Sequence, residues 1–78
     1  MSTRFLFSIP EQTHVNAVIY DILGKNIKQL LDKNMQAGSH EFIWNGKSDN
    51  SIEVASGIYF IHLKAGEYEA VKKILLVK

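Results

Sequence analysis

Residues 57–77 read Gly57-Ile58-Tyr59-Phe60-Ile61-His62-Leu63-Lys64-Ala65-Gly66-Glu67-Tyr68-Glu69-Ala70-Val71-Lys72-Lys73-Ile74-Leu75-Leu76-Val77. The first half is rich in aromatic and β-branched side chains, which suit a pleated, half-buried surface. Ala65-Gly66 reads as a tight turn, and residues 67–77 as the partner strand, so the segment predicts a β-hairpin. Upstream the same alternation recurs. Residues 4–9 place Phe5, Phe7 and Ile9 on one face and Arg4, Leu6 and Ser8 on the other. Pro10 ends that run, because it has no N–H to give a ladder. Val15, Ala17 and Ile19 form the next apolar face, with Asn16, Val18 and Tyr20 opposite, and Gly24-Lys25 reads as a turn. Residues 40–44 pair Phe42 with Trp44 on one face before the turn dipeptide Asn45-Gly46. Residues 47–50 read as loop, and 52–54 as a short strand at most.

One segment has two readings. Ile27, Leu30, Leu31 and Asn34 stand at helical spacing, and Lys, Gln and Leu favour helix. Gly24 and Asn26 are poor helix starters. Among so many strands, residues 27–31 are read as a short strand, with a short helix as the alternative. Six or seven short strands, about ten residues apart, predict an all-β antiparallel sandwich. A tiny barrel shares that periodicity.

A chain of 78 residues is read as a single domain over 1–78, too short for a Rossmann fold or a (β/α)8 barrel. Apolar residues at 46% and charged residues at 22% match a globular domain, not a disordered tail. Nine Lys plus Arg against eight Asp plus Glu leave a net charge of +1, which gives no electrostatic footprint for nucleic acid or an anionic membrane. The absence of cysteine excludes disulfides and thiolate metal sites but leaves the compartment open. No apolar run approaches the ~20 residues of a membrane span. No charged-then-apolar signal peptide opens the chain.

Chemistry-bearing patterns are sparse. His14, His40 and His62 fall on separate strands without metal-ligand spacing. Asp49-Asn50-Ser51 with Glu53 lacks the spacing of a calcium loop. Ser39-His40-Glu41 is contiguous, so on a strand its side chains alternate and cannot form a triad. No glycine-rich phosphate loop is present. No catalytic residue, cofactor or metal is therefore expected. Trp44 is read as a core anchor, with an exposed sugar-stacking ring beside Tyr68 as the alternative. Tyr59 is read as a buried ring whose hydroxyl bonds a neighbouring turn, in the manner of a tyrosine corner. Lys72 and Lys73 flank an apolar strand, either as charges that protect it from aggregation or as part of a docking edge.

Taken in order, the markers are Phe5-Leu6-Phe7-Ser8-Ile9-Pro10, then Val15-Asn16-Ala17-Val18-Ile19-Tyr20-Asp21-Ile22-Leu23-Gly24, then Ile27 and Leu30, then Ala37-Gly38-Ser39-His40 and Trp44-Asn45-Gly46. Val54-Ala55-Ser56-Gly57-Ile58-Tyr59-Phe60, Leu63, Gly66 and Lys73-Ile74-Leu75-Leu76-Val77-Lys78 complete them. In this order and spacing the chain resembles the C-terminal sorting domain of type IX secretion cargo, the Por-type domain. That pattern is shared with the Ig-like module of flagellar hook-capping proteins, and it covers essentially the whole chain.

The resemblance implies a small seven-stranded antiparallel Ig-like β-sandwich that is not an enzyme. It implies a sorting and anchoring signal, carried behind an upstream secreted cargo domain. Its partners would be the outer-membrane type IX translocon and a surface sorting peptidase. The protein would be secreted or surface-bound, exported through the periplasm as part of a longer precursor. Gly57, Tyr59, Lys73 and Lys78 match the sorting motif. Phe7, Tyr20, Gly24, Gly38, Trp44 and Gly66 form the core and turn signature. The usual Asn-Pro-rich lead-in is absent, so Met1-Ser2 are read as added or linker residues. Ala17 stands where a larger aliphatic is common, which predicts a locally thinner core. The alternative function is an Ig-like structural module of an extracellular or hook-cap-like assembly, and a third is a small carbohydrate-binding sandwich. Self-association through a free strand edge is also anticipated.

Overall fold

Strand formation follows the period-two alternation of apolar side chains. In the computed structural model, which describes residues 2–77, these residues form six β-strands and no helix. Met1 and Lys78 lie outside the described residues, and with them the expectations placed on an added Met1 and on Lys78 as a sorting residue. The strands are β1 (Thr3–Ile9), β2 (Thr13–Asp21), β3 (Asn26–Met35), β4 (Gly38–Trp44), β5 (Gly57–Ala65) and β6 (Tyr68–Leu76). β1 and β4 pair as a two-stranded sheet, and the other four form a sheet in the order β3-β2-β5-β6. Every pairing is antiparallel.

The two sheets close over one another because each has an apolar face to hide. Ala17, Ile19, Tyr59, Ile61, Ile74 and Leu76 of the larger sheet cluster with Trp44 of the smaller one, and Phe5 and Phe42 pack against them. Ile9, Val15 and Ala65 form a second cluster with Phe7 and Met35 beside it. Phe7 stacks at a tilt against Phe42, with ring centroids 5.3 Å apart. Tyr20 is half-buried on the opposite face of β2, paired in register with Phe60.

The β5–β6 hairpin runs without a register shift from Gly57↔Leu76 to Ala65↔Tyr68, leaving Gly66-Glu67 as the loop. Gly66 has φ +61° and Glu67 does not share the positive φ. That is the signature of a type II′ turn, whose twist matches that of the flanking strands. A Cβ on Gly66 would meet Thr13 Oγ1 at 2.9 Å. Position 66 therefore excludes side chains twice, by conformation and by contact.

The segment with helical spacing is strand. β3 carries extra residues against β2, with register shifts between Ala17 and Val18 and between Ile19 and Tyr20. The shifts leave Leu30 and Ile27 without Cα partners on β2. An extra residue reverses the alternation beyond it. Ile27, Leu30 and Leu31 consequently all pack on the core cluster, which is why their spacing imitates a helix face. Ala17, fully buried, lies in register between Leu31 and Leu63.

The expected seventh strand is absent among the described residues. Residues 45–56 bond mostly within themselves instead, with Asp49 alone reaching β3. Val54 N–H donates to Gly46 O at 3.0 Å, and Ser48 N–H to Ile52 O at 2.9 Å. Ser48 Oγ accepts from the N–H groups of Asn50 and Ile52 at 3.3 and 3.4 Å. Ser51 has φ +62°, which no strand accommodates. Only the isolated bridge Lys47↔Glu53 remains of strand pairing there.

This loop is pinned by two rings. Trp44 is 1% exposed, and its Nε1–H donates to Lys47 O at 2.9 Å. Tyr59 is 7% exposed, and its hydroxyl donates to Ala55 O at 2.6 Å. The rings meet edge-to-face at 5.4 Å across the sandwich. A ring so deeply buried cannot stack on a sugar, which removes Trp44 as a carbohydrate platform. Trp44→Ala should lower unfolding stability by about 3–5 kcal/mol in urea titrations, the usual range for an aromatic truncated in a core. A loss below about 1 kcal/mol would contradict its place there. Gly66→Ala should lose about 1–3 kcal/mol by the same method, because alanine is strained at that φ.

Candidate functional site

Of the residues matched to a sorting motif, the described ones, Gly57, Tyr59 and Lys73, do not present their side chains to one site. Gly57 opens β5, with φ +154°, opposite Leu76. Tyr59 faces the core, whereas Lys73 is exposed and pairs in register with Phe60, the neighbour whose side chain points the other way. Gly24 (φ +84°) and Gly38 (φ +124°) sit at strand ends, the first in a turn where the Asp21 carboxylate accepts from Leu23 and Lys25 N–H, each at 2.9 Å. Of the signature positions, Phe7 and Trp44 lie against or in the core and the glycines sit at turns and strand ends, whereas Tyr20 lies half-buried on the outer face of the larger sheet.

Titratable groups are dispersed. Ser39 Oγ lies 3.1 Å from Ser8 Oγ, His40 Nε2–H donates to Gln36 O at 2.7 Å, and Glu41 lies 3.8 Å from Arg4. Three neighbours in sequence thus turn to three different partners. Asp49 accepts from Gln29 N–H at 3.1 Å and lies 3.9 Å from Lys28 Nζ. Among the described residues no three His, Asp or Glu side chains gather to hold a metal ion.

What the surface does present is apolar. On the outer face of the four-stranded sheet, Ile58 pairs with Leu75, and Val71 lies opposite His62. Ile58 is 41%, Val71 62% and Leu75 69% exposed. Ile22 and Leu23, in the β2–β3 turn, are also exposed. The signal was available in Ile74-Leu75-Leu76-Val77: a strand apolar on both faces has one face left over after the core is filled. A second feature is a groove of about 350 Å³ alongside β1, lined by Phe5, Phe7, Leu63, Ala70 and Lys72 among others.

His14 has a displaced pKa. Its Nε2 is 2.6 Å from Asp32 Oδ1 and its Nδ1 is 3.1 Å from Asn34 Oδ1. The imidazolium can donate to both oxygens at once, and the neutral ring to only one. The hydrogen bond to Asp32, then that to Asn34, raises the pKa above its ordinary 6.5. A raised folded-state pKa means that the protonated pair stabilises the fold fully below pH 6.5, and that this contribution fades as pH rises through the raised value. In an NMR titration, Asp32→Asn should move the His14 midpoint down toward the ordinary value. An unmoved midpoint would show that Asp32 does not set it.

Comparison with known proteins places this geometry. The family model of the FlgD Ig-like domain matches residues 2–69. FlgD from P. aeruginosa superposes with a TM-score of 0.75 at 19% identity, covering 96% of this chain and 61% of that one. FlgD from Xanthomonas campestris, whose structure is described in terms of the hook capping essential for flagellar assembly, gives 0.72 at 28% identity, covering 95% and 54%. The chain thus spans little more than half of the FlgD chains it matches. No curated protein matches it. These matches overturn the type IX sorting function, together with its translocon and surface-peptidase partners. Most markers behind that resemblance are strand, core and turn residues that report the sandwich, and a sandwich is common ground for both kinds of module. With its markers spent on the fold and the family model spanning most of its length, the chain belongs to the FlgD Ig-like domain family.

Proposed function

We propose that the chain is a non-enzymatic structural module of a hook-capping protein, exported to the cell surface as part of a longer polypeptide. The observation that carries this is the family match over residues 2–69, supported by a FlgD superposition over 96% of the chain. The physical design suits a rigid spacer and contact block. Its loop between β4 and β5 is tied at Lys47 and Ala55 to two buried rings, so it holds its shape. Its outer sheet face offers Ile58, Val71 and Leu75 for packing against neighbours in an assembly.

The test is an in-frame deletion of residues 2–77 from the parent protein, with its production and export verified by immunoblot. Hook assembly should fail in electron micrographs, with hook subunits released into the medium. Hooks of normal number and length would overturn the proposal.

A further inference from the structure

A two-stranded sheet does not cover a four-stranded one, and the two uncovered flanks are finished differently. On the β3 side, the strand is bulged, and residues 48–50 lie against it. Asp49 N–H donates to Ile27 O at 3.0 Å, and Gln29 N–H returns a bond to the Asp49 carboxylate at 3.1 Å. On the β6 side lies the groove of about 350 Å³.

Its floor is the inner face of β5 and β6, with Ile61, Leu63, Ala70 and Lys72. Its wall is β1 from residue 4 to residue 9 without interruption. Inward-facing Phe5 and Phe7 and outward-facing Leu6 and Ser8 line it alike, which requires the wall to be the strand's backbone edge. β1 bonds β4 on one side, in unbroken register. Among the described residues, no backbone hydrogen bond reaches its other side.

We propose that this groove is a strand-acceptor site: an extended segment of a second polypeptide pairs with the free edge of β1 and lays alternate apolar side chains over Leu63 and Ala70. Neighbouring strands lie about 4.8 Å apart, so a strand added beside β1 widens the smaller sheet over the stretch of β6 that lines the groove, Tyr68, Ala70 and Lys72, beyond which Ile74 and Leu76 are already buried. Main-chain bonds supply affinity in such a site, and the alternate side-chain positions supply selectivity. Charge defines the occupant further. The charged groups lining the groove are Arg4 and Lys72, with no carboxylate among them. Arg4 is 3.8 Å from Glu41, whereas Lys72 has no ion pair among the described residues. A fitting segment therefore carries an acidic residue where it passes Lys72. A second copy of this chain is the poorer occupant. Pairing β1 with β1 would drive two four-stranded sheets, each wider than the sheet above it, into the same space.

The experiment titrates synthetic peptides into the isotope-labelled 78-residue chain and follows backbone amides by NMR. The probes are capped peptides of about eight residues, an ordinary strand length, with Val at alternate positions, Thr between and one Glu at either end. Saturable shifts should centre on β1 and on Tyr68, Ala70 and Lys72, with slowed amide exchange along β1. Replacing the Glu by Lys should weaken binding about tenfold, and Lys72→Glu should reverse that preference. Ala70→Trp, which fills the floor, should also weaken binding about tenfold, at unchanged Tm. Several results would overturn the site: a shuffled peptide of equal composition binding as well, shifts centred on another edge, or no peptide moving β1. Concentration-dependent dimerisation through β1 in the free chain would replace the partner segment with a second copy and overturn it too. This titration is independent of the hook-assembly assay, so either proposal can fail alone.

Discussion

Trp44 and Tyr59 meet edge-to-face at 5.4 Å, and through them the two sheets and the longest connection become one body. Trp44 closes β4 in the smaller sheet, and Tyr59 lies near the start of β5 in the larger one. Each ring hides its apolar body in the core and spends its polar tip on a loop carbonyl, Lys47 O or Ala55 O. An aromatic side chain with one polar tip is suited to this, because a buried donor left unpaired would cost about 1–3 kcal/mol of what burying the ring gains. The connection between β4 and β5 is thereby fixed at both ends without being a strand.

That choice sets the widths of the sheets. With residues 45–56 folded on themselves, nothing in the described chain adds a third strand to β1 and β4. Unequal sheets leave edges, and unpaired edges are places where other chains attach. β3 manages its edge by bulging and by docking Asp49. β6 carries Lys72 and Lys73 in an otherwise apolar run, a common protection for an edge strand. β1 has neither a bulge nor a docked loop and carries only Arg4, which lies 3.8 Å from Glu41, and the groove beside it is where the fold is least finished. The apolar outer row of Ile58, Val71 and Leu75 is a second invitation to contact, on the other side of the same sheet. A module with these features has surfaces to offer a larger assembly.

Much of the fold is legible in the chain. Alternation in residues 4–9, 15–20, 40–44 and 57–64 marks strands that form, and Tyr59 holds the corner its spacing implies. Residues 27–34 are the opposite case. Their apolar spacing is helical because bulges break the strand period, and a bulge is set by the partner strand. The seventh strand also failed locally: Ser51 at positive φ and a hydroxyl capping two amides make a turn of what looks like the start of a strand. The sorting motif failed for a different reason. Gly57 and Tyr59 are demanded by a strand start and a buried ring, so they recur wherever this sandwich does and do not name its task.

The sequence alone determined which residues alternate, where turns need glycine and which rings go inside, because these depend on local sterics and on apolar side chains leaving water. It also determined what chemistry is missing from the chain's composition, such as any thiol. Only the tertiary structure decided how many strands each sheet holds, which edges stay open and that the apolar side chains of β6 divide between core and surface. Those features depend on pairing between residues far apart in the chain. A segment has no edge until its neighbours are chosen, and no outer face until another sheet covers the inner one.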